Sequence, residues 1–351
     1  MVRVPLGMPR PPQRHLVDRF GRVATNLRVS LTDRCNLRCG YCMPAEGLDW
    51  MPPAQQLDDE ELFRLIAVAV RDLGVEEIRF TGGEPLLRSG LESLISRTVA
   101  LRTWQGLPPR TAVTTNGLGL RHRARALHEA GLHRINISLD TLRPDRFLTL
   151  TRRARLTDVL EGIEAAREAG LSPVKINTVL MRGTNDDEAP DLLAWALERG
   201  LHLRFIEQMP LEPHGSWDRS SMVTTQEILD GLSARFRLTA QEPGHRGAAP
   251  AETWWAEPRE GGPGGPVGIV GSVTRPFCGD CDRTRLTADG QVRSCLFATV
   301  ETDLRKLLRD GADDETLARA WRTAMWHKAA GHGIDDPRFS RPQRPMSAIG
   351  G

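Results

Sequence analysis

The stretch Asn26-Leu27-Arg28-Val29-Ser30-Leu31-Thr32-Asp33-Arg34-Cys35-Asn36-Leu37-Arg38-Cys39-Gly40-Tyr41-Cys42 decides the fold of this chain of 351 residues. Residues 27–31 alternate apolar and polar side chains, which predicts a half-buried strand that leads into a loop. The loop carries Cys35, Cys39 and Cys42, with Tyr41 before the last of them. Three thiolates can bind three irons of a [4Fe–4S] cluster and leave the fourth iron open. The spacing therefore predicts a reactive iron–sulfur site.

A second cysteine group, Cys278, Cys281 and Cys295, completes the six cysteines of the chain. A disulfide framework is not expected, because a chain of this length can bury a core without cross-links. Two separate groups of three predict two clusters with one open iron each. Structural zinc is the alternative for both groups, although it needs a fourth ligand, and no His lies in residues 33–53. A Cys-x-x-Cys pair alone is equally compatible with zinc.

Composition argues against several functional classes. The 47 basic and 45 acidic residues give a net charge of +2, so bulk charge indicates neither a nucleic-acid nor a membrane partner. No apolar run is long enough to cross a bilayer, and no apolar segment typical of a signal peptide follows the Pro-rich residues 1–13. Unpaired thiols without an export signal lead us to expect a cytoplasmic protein.

Strand and helix patterns alternate along residues 26–209. After the strand at 27–31, we predict strands at 78–81, 111–115, 134–139, 174–180 and 203–206, separated by helices at 58–73, 86–101, 121–130, 156–169 and 187–199. Such alternation predicts a parallel sheet covered by helices. Polar residues recur at the strand ends, where barrel enzymes place their chemistry. We therefore expect an α/β fold with a closed or partial (β/α)6-type TIM barrel.

The chain divides into three predicted parts. Residues 1–19 are expected to be a flexible N-terminal segment, 20–235 the barrel, and 236–351 a C-terminal region with the second cysteine group and a Gly-Gly tail. Residues 241–266 are rich in Gly and Pro and predict a mobile excursion. A helical stretch is predicted at 300–330, and His327 and His332 are expected at the surface because their surroundings are polar.

A second motif, Gly82-Gly83-Glu84-Pro85, follows a predicted strand. Two glycines let the backbone approach a ligand closely, and the Glu84 carboxylate can accept hydrogen bonds from an ammonium group. An ordinary turn between strand and helix would look similar. Together with the first cysteine loop, however, this turn resembles the two leading motifs of the radical S-adenosylmethionine (SAM) superfamily. That resemblance implies that the open iron binds SAM and that a one-electron transfer cleaves SAM to a 5′-deoxyadenosyl radical.

Further strings narrow the resemblance, over about residue 20 to the C-terminus, to the GTP 3′,8-cyclase family (molybdenum cofactor biosynthesis protein A). They are Thr32–Cys39, Arg79–Pro85, Thr114–Gly117, Asn136–Asp140, Lys175–Asn177, Arg204–Met209, Cys278–Leu286, Cys295–Thr299 and Gly350-Gly351. The family resemblance implies a lyase that converts GTP to 3′,8-cyclo-7,8-dihydroguanosine 5′-triphosphate, the first step of molybdenum cofactor biosynthesis. It also implies a homodimer, an electron donor that the sequence does not identify, and cyclic pyranopterin monophosphate synthase as the downstream partner.

The resemblance implies roles for individual residues. The first cluster would bind Cys35, Cys39 and Cys42, and the second would bind Cys278, Cys281 and Cys295 and meet the guanine base. SAM would contact Tyr41, Gly83, Ser138 and Met209. GTP would contact Arg28, Arg79, Thr114, Lys175, Arg283, Thr284 and Arg285. Further expected active-site residues are Glu84, Asn116, Arg204, Gly350 and Gly351.

The residues themselves agree with an anionic ligand. Arg28, Arg79, Lys175 and Arg204 fall on successive predicted strands, and arginine forks bind phosphate oxygens in bidentate fashion. No Gly-x-x-x-x-Gly-Lys-Ser/Thr loop is present, which argues against a P-loop hydrolase. Two alternatives remain open. One is a radical SAM maturase that modifies peptides, for which six cysteines are few, and the other is a zinc-stabilised binding or regulatory protein.

Overall fold

The computed structural model describes residues 15–211, 217–241, 246–337 and 339–350. Ten α-helices occur in these ranges: α1 (Asp59–Asp72), α2 (Leu91–Val99), α3 (Ala124–Glu129), α4 (Pro144–Thr151), α5 (Leu156–Glu168), α6 (Ala189–Glu198), α7 (Thr225–Ser233), α8 (Leu304–Arg309), α9 (Asp314–Trp326) and α10 (Met346–Ile349). None of these helices has the length and apolarity that crossing a membrane requires.

The same ranges contain fourteen strands. They are β1 (Leu16–Val17), β2 (Val23–Ala24), β3 (Asn26–Ser30), β4 (Glu77–Thr81), β5 (Arg110–Thr115), β6 (Arg134–Ser138), β7 (Val174–Val179), β8 (His202–Ile206), β9 (Phe236–Ala240), β10 (Glu252–Pro258), β11 (Gly265–Val270), β12 (Arg283–Leu286), β13 (Gln291–Arg293) and β14 (Thr302–Asp303). Strands β1 and β2 form a separate hairpin.

The other twelve strands form one open sheet in the order β14-β13-β12-β3-β4-β5-β6-β7-β8-β11-β10-β9. Strands β3 to β8 are parallel neighbours in chain order, which confirms the predicted partial barrel of six β–α units. Among the described residues the two ends of the sheet do not pair with each other, so the barrel is not closed.

Side-chain alternation on each strand separates the core from the site. On β7, Val174, Ile176 and Thr178 are buried, whereas Lys175 and Asn177 on the other face are partly exposed. The buried face packs on helices whose apolar residues recur at helical spacing, as they do on α1. A capping box formed by Asp58 and Glu61 stabilises the N-terminus of this helix. Apolar side chains of the strands therefore face the helices, and their polar side chains face inward.

The C-terminal region extends this sheet at both ends, which the sequence patterns did not predict. Strand β11 pairs in parallel with β8, and the next strand, β12, pairs in parallel with β3 at the other end. Residues 271–282 therefore connect the two ends of the partial barrel. This segment carries Cys278 and Cys281, so the connection brings the second cysteine group to the barrel.

Several predicted elements need correction. Residues 252–258 and 265–270 form β10 and β11 where a mobile excursion was expected, because Ala256, Val267 and Ile269 bury their side chains against the barrel. The helix expected at 86–101 begins at Leu91, after a single 3₁₀ turn. The helical stretch expected at 300–330 is two helices, and α4 was not predicted. Residues 1–14 of the predicted N-terminal segment lie outside the described ranges, whereas Leu16–Val17 form β1.

Candidate functional site

A cavity of about 320 Å³ lies inside the partial barrel, and all six cysteines line it. All six are free thiols, and all are partly exposed. The first group follows β3, and the second group lies on the segment between β11 and β12 and just after β13. Two cysteine groups that are more than two hundred residues apart in the chain therefore face one cavity.

The Gly-Gly-Glu-Pro turn packs directly on the first cysteine loop. The backbone N–H of Gly83 donates to the Thr32 carbonyl at 2.7 Å, and that of Glu84 donates to the Arg34 carbonyl at 2.8 Å. A Cβ atom on Gly83 would overlap the carbonyl groups of Asp33 and Arg34. Only glycine permits this approach, so the turn fixes the backbone that leads to Cys35.

Glu84 is buried beneath the turn and does not line the cavity. Its carboxylate accepts hydrogen bonds from the Thr115 hydroxyl at 2.7 Å and from the backbone N–H groups of Asn116 at 2.7 Å and Leu86 at 2.9 Å. Burial raises the pKa of Glu84 to about 7, although these three hydrogen bonds act to lower it. Glu84 therefore joins the turn to the end of β5 and holds Asn116, whose side-chain nitrogen lies 3.7 Å from the Cys35 sulfur.

Tyr41 and Asp140 form a hydrogen-bonded pair that lines the cavity together with the first cysteine group. The Tyr41 hydroxyl donates to Asp140 at 2.7 Å, and the backbone N–H of Val179 donates to the other carboxylate oxygen at 2.9 Å. Burial raises the pKa of Asp140 to about 6, although both donors lower it. Asp140 was not among the predicted site residues. Its position two residues after Ser138, at the end of β6, was the available signal.

The second cysteine group lies beside two cations. The Arg283 Nε atom is 3.4 Å from the Cys281 sulfur, and the Lys328 Nζ atom is 3.2 Å from the same sulfur. Burial acts to raise the pKa of Cys281, but Lys328 and Arg283 lower it to about 6. Arg22 in the β1–β2 hairpin holds this loop from outside, since it donates to the Cys278 carbonyl at 2.6 Å.

Between the two cysteine groups lies a row of arginines. Arg285, Arg28 and Arg79 are register partners on β12, β3 and β4, and all three line the cavity. Burial, then Arg285 and Arg79, lower the pKa of Arg28 well below its usual range. The Nε atoms of Arg28 and Arg79 are buried and have no hydrogen-bond partner. Arg79 also donates to Glu77 at 3.4 Å, but the two Nε donors are unsatisfied, which is the arrangement that a polyanion completes.

Two more cations extend the row across the barrel. Burial, then Arg79 and Arg134, lower the pKa of Arg204 to about 10, and burial and Arg204 lower that of Lys175 to about 7. Burial acts to raise the pKa of Glu77, but Arg134 and Arg79 hold it below the usual range. The inner face of the sheet around Arg79, Lys175 and Arg204 is therefore strongly positive, despite the Glu77 carboxylate.

The structure brings most of the expected site residues together. Those that line the cavity are the six cysteines, Tyr41, Gly83, Ser138, Met209, Arg28, Arg79, Thr114, Arg283, Arg285, Asn116 and Arg204. Lys175 does not line the cavity. It lies on the same face of β7 as Asn177, which does line it. Thr284 was expected to contact GTP, but it points to the opposite face of β12, where its hydroxyl accepts a hydrogen bond from the Trp321 indole at 2.9 Å. Strand alternation places its neighbours Arg283 and Arg285 inward.

The C-terminal tail reaches the carboxyl ends of β3 and β4. Ser30 donates to the Ile349 carbonyl at 2.8 Å, and Arg285 donates to the Gly350 carbonyl. A Cβ atom on Gly350 would lie 2.5 Å from the Ser30 hydroxyl and 2.7 Å from a Thr81 methyl group. Gly350 does not line the cavity but packs against its wall, and Gly351 lies outside the described residues.

Two residues near the second cysteine group were missed or misplaced by sequence analysis. His332 was expected at the surface, but it is half-buried, lines the cavity and lies 5.5 Å from the Phe297 ring. His327 is exposed, as expected. Lys328 was not singled out, although it is 2% exposed. Only the fold brings both residues near the cysteines, because the polar sequence around them is typical of a surface.

Comparisons with known proteins define the class. The family model described as the radical SAM superfamily matches residues 29–196, and the model described as Molybdenum Cofactor Synthesis C matches residues 201–334. A crystal structure of Streptococcus suis SuiB bound to S-adenosylmethionine has a TM-score of 0.55 at 14% identity, covering 86% of this chain and 69% of that one. The fold is thus that of a radical SAM enzyme.

Relatives of high identity narrow the assignment. The GTP 3′,8-cyclase of Streptomyces coelicolor is 63% identical and covers 96% of each chain. That of Corynebacterium glutamicum strain R is 57% identical over 98% of this chain and 91% of its own, and that of Mycobacterium marinum is 56% identical over 96% and 92%. The chain belongs to the GTP 3′,8-cyclase family of radical SAM enzymes in molybdenum cofactor biosynthesis. Membership implies a [4Fe–4S] cluster and SAM as cofactors.

Proposed function

We propose that the cavity binds SAM at the first cysteine group and GTP between the two groups, and that it converts GTP to 3′,8-cyclo-7,8-dihydroguanosine 5′-triphosphate. The observation that carries this proposal is the row formed by Arg285, Arg28 and Arg79 between two sets of free thiols in one cavity. A triphosphate carries several negative charges, and buried arginine forks bind such oxygens with charge-assisted hydrogen bonds.

The cysteine groups suit iron–sulfur clusters better than zinc. A structural zinc site is closed by four protein ligands. Each set of three thiols instead faces the cavity, and cations or backbone N–H groups lie beside the sulfurs. When bound, the first cluster supplies the electron that cleaves SAM. Cys35, Cys39 and Cys42 would hold that cluster, and Cys278, Cys281 and Cys295 would hold the second.

The remaining residues bind, orient and shield the substrates. The turn at Gly83 would place the methionine end of SAM over the first cysteine loop, with Ser138 and Met209 beside it. Asn116, held by Glu84, would fix the approach to Cys35. Arg204, Thr114 and Lys175 would bind the phosphates along with the arginine row. The tail at Gly350 would seal the wall of the cavity beside Arg285, which excludes water from a reactive site.

Anaerobic reconstitution with iron and sulfide, followed by product analysis with SAM, GTP and a strong reductant, tests the proposal. We expect 5′-deoxyadenosine and a cyclised GTP product, each dependent on all three components. Deoxyadenosine with unchanged GTP would mean that the protein cleaves SAM but acts on another substrate, for example a peptide as in a maturase. Zinc-loaded, colourless protein without deoxyadenosine would overturn the proposal.

The variant Cys278→Ser separates the two cysteine groups. We expect it to retain the first cluster and some SAM cleavage, because Cys35, Cys39 and Cys42 are unchanged. GTP cyclisation should be lost, since the second cluster would lack a ligand. The control Cys35→Ser should lose SAM cleavage as well. Unimpaired cyclisation in Cys278→Ser would contradict a role for the second cluster.

The wider setting is part of the same proposal. The product would pass to cyclic pyranopterin monophosphate synthase, and an electron donor not yet identified would reduce the clusters. A homodimer in the cytoplasm fits the family resemblance and the free thiols. Sedimentation of the reconstituted protein tests the dimer, for which a monomer at micromolar concentration would be the contrary result.

A further inference from the structure

Lys328 is a buried lysine whose ammonium group lies against the second cysteine group. It follows the C-terminus of α9 and is 2% exposed. Its Nζ atom donates to the Arg283 carbonyl at 2.9 Å, to the Cys281 carbonyl at 3.1 Å and to the Cys281 sulfur at 3.2 Å. An ammonium group has three N–H donors, so all three of them are used on this one loop.

The charge of Lys328 has an unusual partner. Burying a cation is costly unless an anion lies beside it. Among the groups that accept a hydrogen bond from Lys328, the Cys281 thiol is the one that can carry a negative charge, and the Asp282 carboxylate also interacts electrostatically with the ammonium group. The other two acceptors are neutral carbonyl groups. The loop and the lysine are therefore complementary when Cys281 is a thiolate, as it is when it binds iron.

The contacts to the three cysteines of this group are unequal. Cys281 has side-chain donors at its sulfur from both Lys328 and Arg283. The Cys278 sulfur has a backbone donor at His332 but no cation that donates to it among the described residues, and Arg22 donates to the Cys278 carbonyl. Hydrogen bonds and positive charge at a ligating sulfur stabilise the reduced, more negative state of a cluster, which raises its reduction potential.

We propose that Lys328 is a positioning residue that raises the reduction potential of the second cluster through its hydrogen bond to the Cys281 thiolate. This inference rests on the proposed second cluster. Lys328 would thereby make that cluster easier to reduce, although the triphosphate anion proposed to bind nearby would make it harder. It would act without touching either substrate, because Lys328 does not line the cavity.

The test uses the full chain with Cys35, Cys39 and Cys42 each changed to Ser, so that only the second cysteine group can bind a cluster. A redox titration followed by electron paramagnetic resonance compares this parent with the same protein carrying Lys328→Met, Lys328→Arg or Lys328→Gln. His327→Ala is the matched control, because it alters the same end of α9 at an exposed side chain. Iron content is measured for each protein.

We expect Lys328→Met to lower the potential, so that the ratio of reduced to oxidised cluster at the parent's midpoint falls about tenfold, or about 59 mV for one electron. Lys328→Arg, which keeps the charge and donors, should restore the ratio, and His327→Ala should leave it unchanged. An unchanged potential in Lys328→Met at full iron content would overturn the inference and leave the cluster intact.

Three other outcomes are decisive. If Lys328→Met binds no iron, Lys328→Gln serves instead, because it keeps N–H donors without the charge, and a lowered potential there supports the inference. Loss of iron from both variants would overturn a tuning role in favour of a purely structural one. Absence of iron from the parent would instead contradict the proposed second cluster.

Discussion

Arg28 and Arg285 are register partners on neighbouring parallel strands, although β3 begins the barrel and β12 belongs to the C-terminal region. Burial lowers the pKa of both guanidinium groups, and Arg285 lowers that of Arg28 further. The fold thus brings two like charges together where water is largely excluded. A bound polyanion would relieve this repulsion, so the two parts of the chain would together form the proposed phosphate site.

The variant Arg28→Met tests the repulsion directly. Without ligand we expect the free energy of unfolding to rise by about 1–3 kcal/mol, because a half-buried cation that Arg285 and Arg79 repel is replaced by an apolar chain of similar length. GTP affinity should fall roughly 10- to 100-fold, as expected for loss of charged hydrogen bonds worth about 1.5–3 kcal/mol. Urea unfolding and calorimetry measure the two effects.

The control for this variant is Arg237→Met on β9, where the side chain is 73% exposed. It should change neither unfolding nor GTP binding by more than about 0.5 kcal/mol. Destabilisation by Arg28→Met together with unchanged GTP affinity would mean that Arg28 has a structural role and lies outside the phosphate site.

Lys175 predicts a pH dependence of GTP binding. Burial and Arg204 lower the pKa of Lys175 from 10.5 to about 7, so the free protein loses this charge as the pH rises through 7. Phosphate oxygens favour the protonated amine and raise the pKa again in the complex. Binding must therefore take up a proton above pH 7, and affinity should fall by up to about tenfold per pH unit there.

Calorimetry at pH 8 in two buffers of different ionisation enthalpy measures this proton uptake, at a pH where the terminal phosphate has already lost its proton. Lys175→Met should abolish most of the uptake. In the free protein the unfolded chain binds the extra proton between pH 7 and 10.5, so the free energy of unfolding should rise with pH across that window. The absence of proton uptake by the unmodified protein would contradict the placement of Lys175 at the phosphates.

Gly350→Ala tests the role of the tail. Gly350 has a φ of 81°, and an added Cβ would overlap Ser30 and Thr81, so the tail should leave its place beside Arg285. Gly311→Ala is a matched control, because its φ is 85° and nothing lies within 4 Å of an added Cβ. We expect both proteins to bind iron normally, while GTP cyclisation falls at least tenfold in Gly350→Ala alone. Equal activity in the two variants would exclude a role for the tail's position.

Local patterns were sufficient to predict the barrel and the first half of the site. The alternation on β3, the cysteine spacing and the Gly-Gly-Glu-Pro turn all lie within short stretches, so side-chain period and motif spacing specify them. Parallel neighbours in chain order then follow from the short connections between strands and helices. The prediction that polar strand residues such as Arg28 and Arg79 face inward follows from the same alternation.

Non-local pairing explains what the sequence patterns missed. No local pattern in residues 265–286 indicates that β11 and β12 pair with opposite ends of the sheet. Only this pairing brings Cys278 to the cavity that Cys35 lines. The approach of Lys328 to Cys281 is likewise a product of how α9 packs. Thr284 is different, because strict alternation around Arg283 and Arg285 was already enough to place it on the outer face.

We propose that SAM and the ribose of GTP meet in the same cavity, which both cysteine groups line. The most direct measurement uses GTP deuterated at C3′ in a single anaerobic turnover with SAM and reductant, followed by mass spectrometry of the deoxyadenosine. We expect deuterium in the deoxyadenosine, together with its loss from the cyclised product. Unlabelled deoxyadenosine beside a cyclised product that retains its deuterium would contradict this claim.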